Sequence, residues 1–77
     1  MTKTLVITRE ENRALYLLGA GTEINLLDGG AVIRLILDPA SAIKTVHFKD
    51  HDQAQTAFTD IVEWLKDPHN TLLEIEA

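Results

Sequence analysis

Hydrophobic and polar positions along residues 50–67 repeat with the period of an α-helix. Ala54, Ala57, Phe58, Ile61, Val62 and Leu65 recur at i, i+3, i+4, i+7, i+8 and i+11, a single stripe at about 100° per residue. Asp50 is a favoured N-cap residue, and Gln53 stands three positions on, where a capping box has its second member. Asp52 near the start and Lys66 near the end both oppose the helix dipole, and Pro68 ends the helix. This is the one amphipathic helix the pattern predicts.

Everything before it reads as strand and turn. Lys3 to Thr8 is a β-branched run that predicts a first strand, followed by a polar break over Arg9–Arg13. Ala14 to Leu18 resumes strand character, and Gly19-Ala20-Gly21-Thr22 reads as a turn or bulge. Glu23 to Leu27 alternates partially before Asp28-Gly29-Gly30, residues that tolerate positive φ and signal a hairpin. Ala31 to Leu37 pairs back, Asp38-Pro39-Ala40-Ser41 turns again, and Ala42 to Phe48 leads into the helix. After Pro68, Leu72 to Glu76 predicts a closing strand with Leu73 and Ile75 on one side and Glu74 and Glu76 on the other. The expected fold is α+β: a small antiparallel sheet of about five strands in hairpins, one helix packed on one face, and the closing C-terminal strand, all within a single domain over residues 1–77.

Strand parity adds a demand that one helix does not meet. A sheet covered on one side alternates apolar and polar residues. Here Ile33, Leu35 and Leu37 oppose Val32 and Ile36, Leu15 and Leu17 oppose Tyr16 and Leu18, and Leu5 and Ile7 oppose Val6. Two apolar faces need two covers, either a sheet curled as a half-barrel or a second chain. A small domain buries a modest share of its surface, and without cysteine it has neither disulfides nor thiolate metal sites to supplement that burial. The expectation is therefore a homodimer, with Val6, Tyr16, Leu18, Val32, Ile36 and Trp64 as the candidate interface.

Charge is divided along the chain. Residues 50–77 hold Lys66 alone against Asp50, Asp52, Asp60, Glu63, Asp67, Glu74 and Glu76, and the net charge of −5 resides there. Asp52, Asp60, Glu63 and Asp67 project opposite the apolar stripe, as a solvated face or as an acidic surface for a basic protein partner. Such a face repels phosphate, so nucleic acid is not expected on the helix side. No apolar run reaches the ~20 residues of a membrane span, and the start lacks a signal-peptide core, so a cytoplasmic protein is expected.

Candidate chemistry is sparse. His47 and His51 have i, i+4 spacing, but they straddle a strand end and a helix cap, so they do not converge as metal ligands. Ser41 is the only serine and lacks the glycines of a nucleophile elbow. Gly19-Ala20-Gly21 leads into a strand, so no helix N-terminus follows to hold a phosphate. Asp50 and Asp52 read as capping groups rather than an acid–base couple. No cofactor, metal or catalytic residue is expected, and the chain reads as non-enzymatic.

Leu5-Val6-Ile7-Thr8-Arg9, Ile33-Arg34-Leu35, Asp38-Pro39 and Val46-His47 resemble successive elements of the carbon storage regulator family. That resemblance covers residues 5–48 and implies a small dimeric RNA-binding protein. Glu10 stands where the family has a second arginine, and Phe48 where its RNA-contacting arginine follows the histidine. The first expectation is accordingly a homodimeric protein–protein interaction, accessory or phage-type regulatory module, and the alternative is an RNA-binding post-transcriptional regulator. Clustering of Arg9, Arg13, Arg34 and Lys44 on one face discriminates between them.

Overall fold

The computed structural model describes residues 2–27, 29–38 and 41–77. Six strands and one helix follow one another: β1 (Lys3–Arg9), β2 (Asn12–Leu18), β3 (Glu23–Leu26), β4 (Val32–Ile36), β5 (Ile43–His47), α1 (His51–Lys66) and β6 (Leu72–Glu76). The expected α+β architecture is present, with the strands divided between two three-stranded sheets, ordered β2-β1-β6 and β3-β4-β5. The second is an antiparallel meander. In the first, β1 pairs antiparallel with β2 and parallel with β6. A parallel neighbour needs a crossover, and the helix between β5 and β6 lies within that connection.

The polar break after β1 is shorter than the sequence suggests. Arg9 pairs with Asn12, which leaves a two-residue loop of Glu10 and Glu11. Glu10 takes φ 53°, the left-handed conformation that tight hairpins demand of a central residue. At the second hairpin, Gly29 has φ 71°, while Asp28 lies outside the described residues, as do Pro39 and Ala40 of the third turn. Ser41 closes that turn with φ 56°, its N–H donating to the Leu37 carbonyl at 2.7 Å.

Register assigns the faces. Opposite residues share a side of a sheet, so Leu5 with Tyr16 and Leu73, and Ile7 with Ala14 and Ile75, form the inner face of the first sheet. Leu35 with Ile24, and Ile33 with Leu26 and Val46, form the inner face of the second. Both inner faces and one stripe of α1 enclose one core, in which Leu5, Leu18, Ile33, Leu35 and Ile61 are almost wholly buried. The helix packs on β3, β4 and β6.

The buried stripe of α1 is Ala54, Ala57, Ile61 and Trp64, rotated from the predicted one. Phe58 and Val62 are half-buried at its margin, and Leu65 is 38% exposed while Trp64 is 4% exposed. Small alanines at 54 and 57 let the helix backbone approach the sheets, and the indole fills the wider space at the other end. The N-cap is as predicted, with the Asp50 carboxylate accepting from the Gln53 N–H at 2.8 Å. The return bond of a capping box is displaced by one residue: the Gln53 amide oxygen accepts from the N–H of Lys49, before the cap, at 3.0 Å.

Candidate interaction surface

Two of the six candidate interface residues belong to the core of the chain itself, and a third is buried on the outer face. Leu18 and Trp64 point inward among the core side chains. Val6 points outward, but it is 5% exposed because Leu15 and Glu74 flank it on the neighbouring strands. Tyr16 is half-buried on the inner side of the first sheet, and Val32 and Ile36 are half-buried on the outer side of the second. The parity argument placed two apolar faces correctly along each strand but missed their first cover. The two sheets face each other and, with the helix, cover the inner faces within one chain, which leaves the outer faces of both sheets outside the core.

What remains outside is a different set of residues. The outer face of the first sheet consists of three rows across β2, β1 and β6: Leu17, Thr4 and Leu72, then Leu15, Val6 and Glu74, then Arg13, Thr8 and Glu76. It is apolar at one end and charged at the other. Leu15, Leu17 and Leu72 are 64%, 56% and 50% exposed. At the charged end Arg13 pairs with Glu74 at 3.3 Å. The outer face of the second sheet carries Asn25, Arg34 and Thr45 in its middle row, with Glu23, Ile36 and an exposed Ile43 beside them. Sequence reasoning missed Leu15, Leu17 and Leu72 because a β-strand pattern states which residues share a face, not which face turns inward.

The open edges of β2 and β5 run past each other in opposite directions, bound at both ends. At one end the Gly19 N–H donates to the Asp38 carbonyl at 3.2 Å, and the Asp38 carboxylate accepts from the Gly21 N–H at 3.1 Å. A Cβ on Gly19 would fall 2.5 Å from the Asp38 carbonyl oxygen, so only glycine allows this approach. The amides of the glycine turn thus hold the main-chain carbonyl and the carboxylate of one residue of their own chain. At the other end the Arg9 guanidinium donates to the His47 main-chain carbonyl. Between the two ties lies a cleft of about 210 Å³ with Ile7, Tyr16 and Val46 on its walls and Arg9, Arg13 and His47 at its mouth. A further hollow of about 620 Å³ on the Gly19 side is lined by Leu15, Leu17, Leu37 and Lys44 among others.

The four cations that discriminate between the two functional readings are distributed over different surfaces. Arg9 and Arg13 share the cleft, Arg34 lies on the outer face of the second sheet, and Lys44 lines the separate hollow. On the helix side, Asp52, Asp60 and Glu63 are exposed, whereas the carboxylate of exposed Asp67 is engaged in accepting from the His69 N–H at 2.9 Å. His51 stands 3.4 Å from the Gly30 carbonyl, and no group of three or more metal-ligating side chains occurs among the described residues. No helix among them is long and apolar enough to cross a membrane. No family model matches the chain, and neither does any curated protein or solved structure.

Proposed function

We propose that this chain is a non-enzymatic protein–protein interaction module that works as a homodimer, with the outer face of the β2-β1-β6 sheet covered by the second copy. The observation that carries this reading is the set of Leu15, Leu17 and Leu72 side chains left half or more exposed on one face of the β2-β1-β6 sheet. Two leucines on β2 and a third across β1 on β6, all on one face of so small a domain, are an apolar patch rather than scattered surface residues. A standard interface of roughly 800 Å² per partner would occupy about a sixth of the 5035 Å² surface. The acidic helix face, with Asp52, Asp60 and Glu63, then remains hydrated and available to a basic partner protein.

Light scattering behind a sizing column tests it. The expected result is a dimer at tens of micromolar, with a melting temperature that rises with protein concentration. Leu15→Lys with Leu17→Lys is expected to yield a folded monomer, because both positions are already exposed within one chain. A native monomer with a concentration-independent melt overturns the homodimer.

A further inference from the structure

The alternation of hydrogen bonds along the edge strands shows what the cleft between β2 and β5 offers. In β5, the Phe48 N–H donates to Ala31 and the Ala42 carbonyl accepts from Leu37, so even-numbered residues turn their main chain toward β4. The N–H and C=O groups of Ile43, Thr45 and His47 therefore point away from β4, and Thr45 and His47 line the cleft. The Arg9 contact with the His47 carbonyl fits this parity. In β1, the Thr4 N–H donates to Thr71 and the Thr8 carbonyl accepts from Ala77, so even-numbered residues face β6 and odd-numbered ones face β2. By the same register, Arg13, Leu15 and Leu17 in β2 turn their main chain outward. Two strand edges thus border one cleft, and no ladder joins them among the described residues.

The cleft is also set apart electrostatically. The chain carries a net charge of −5, yet Arg9, Arg13 and His47 line this cleft and no Asp or Glu among the described residues does, Glu74 meeting Arg13 from the exposed outer face of the sheet at 3.3 Å. We propose that the cleft binds an extended acidic segment of a partner protein, whose main chain adds to the edge of β5 at Ile43 and Thr45, beside the His47 carbonyl that Arg9 holds, and whose carboxylates lie against Arg9 and Arg13. Strand addition supplies affinity through main-chain hydrogen bonds, while charge at one end selects the sequence. Nucleic acid fits less well, because phosphate tracking needs a run of cations and Arg34 and Lys44 lie elsewhere. The inference rests on the interaction-module reading but uses a different surface from the outer leucines.

Fluorescence anisotropy with the full chain tests it. The probes are a labelled eight-residue peptide alternating valine and glutamate, its valine–lysine counterpart, a version N-methylated at alternate residues, and a labelled oligouridylate. Only the unmethylated valine–glutamate peptide is expected to bind, and added salt is expected to weaken it. Arg13→Gln is expected to weaken it about fivefold or more. Thr45→Pro removes an edge N–H that β4 does not use, so it is expected to keep the native circular dichroism and lose the peptide. The proposal is overturned by equal binding of the lysine or methylated peptide, by preferential binding of the oligouridylate, by a folded Thr45→Pro chain that still binds, or by no binding up to about 1 mM. A dimer by light scattering that ignores every peptide sinks this inference alone and leaves the homodimer standing.

Discussion

The ammonium of Lys3, near the start of the chain, donates to the main-chain carbonyl of Trp64 at 2.7 Å and lies 5.2 Å from the centre of the Trp64 ring. It also reaches the Asp67 carbonyl at 2.5 Å. The last carbonyls of a helix have no partners within it and carry the negative end of its dipole. Lys3 is 8% exposed, so a buried cation from β1 caps α1 from outside the helix. The contact falls on the buried side of the helix, where Trp64 is 4% exposed, while Leu65 is left at the surface.

Lys3→Met retains the apolar stem and removes the charge and its hydrogen bonds. The expected loss is about 1.5–3 kcal/mol in urea titration, the range for a hydrogen bond to a charged group. Lys66→Ala, at the same end of the helix but exposed, is expected to stay within about 0.5 kcal/mol. Equal effects of the two variants would show that only the general field of the dipole matters.

Trp64→Ala is expected to cost about 3–5 kcal/mol, with Phe58→Ala below that range because its ring is half-buried. Trp64 Nε1 is buried and has no hydrogen-bond partner among the described residues. Trp64→Phe removes that orphan donor as well as volume, so it is expected to be much milder than Trp64→Ala. Thermal melts of the three variants give the order, and Phe58→Ala as the most damaging would contradict the packing.

Asp50→Ala is expected to destabilise by about 0.5–2 kcal/mol through loss of the N-cap. Asp60→Ala and Glu63→Ala, on the exposed face, are expected to change stability by about 0.5 kcal/mol or less. Denaturant titration of all three separates capping from general acidity.

Gly19→Ala places its Cβ 2.5 Å from the backbone oxygen of Asp38, where neither atom belongs to a flexible side chain. A loss of about 1–3 kcal/mol is expected, because the turn between the sheets must open. Gly30→Ala meets nothing nearer than 3.8 Å and is expected to fall within about 0.5 kcal/mol. Matching melting temperatures for the two variants would deny the clamp between Gly19 and Asp38.

Local physics reaches a long way in this chain. The helix bounds follow from Asp50, Gln53 and Pro68, since capping and proline geometry act within a few residues. The alternation of Leu73 and Ile75 with Glu74 and Glu76 predicts the faces of β6 before its partner is known, because side chains on a strand alternate whatever pairs with it. Leu15, Leu17 and Leu72 show where this reach ends. Their periodicity equals that of buried neighbours, and their exposure follows from β6 joining β1 rather than the meander and from the second sheet covering only the inner side. The cleft lies further still from the sequence, since Arg9 and His47 are 38 residues apart and meet only when β2 and β5 become opposing edges. Period and capping are set by neighbours along the chain, whereas which face is covered, and which cations share a cleft, is decided by contacts between strands distant in sequence.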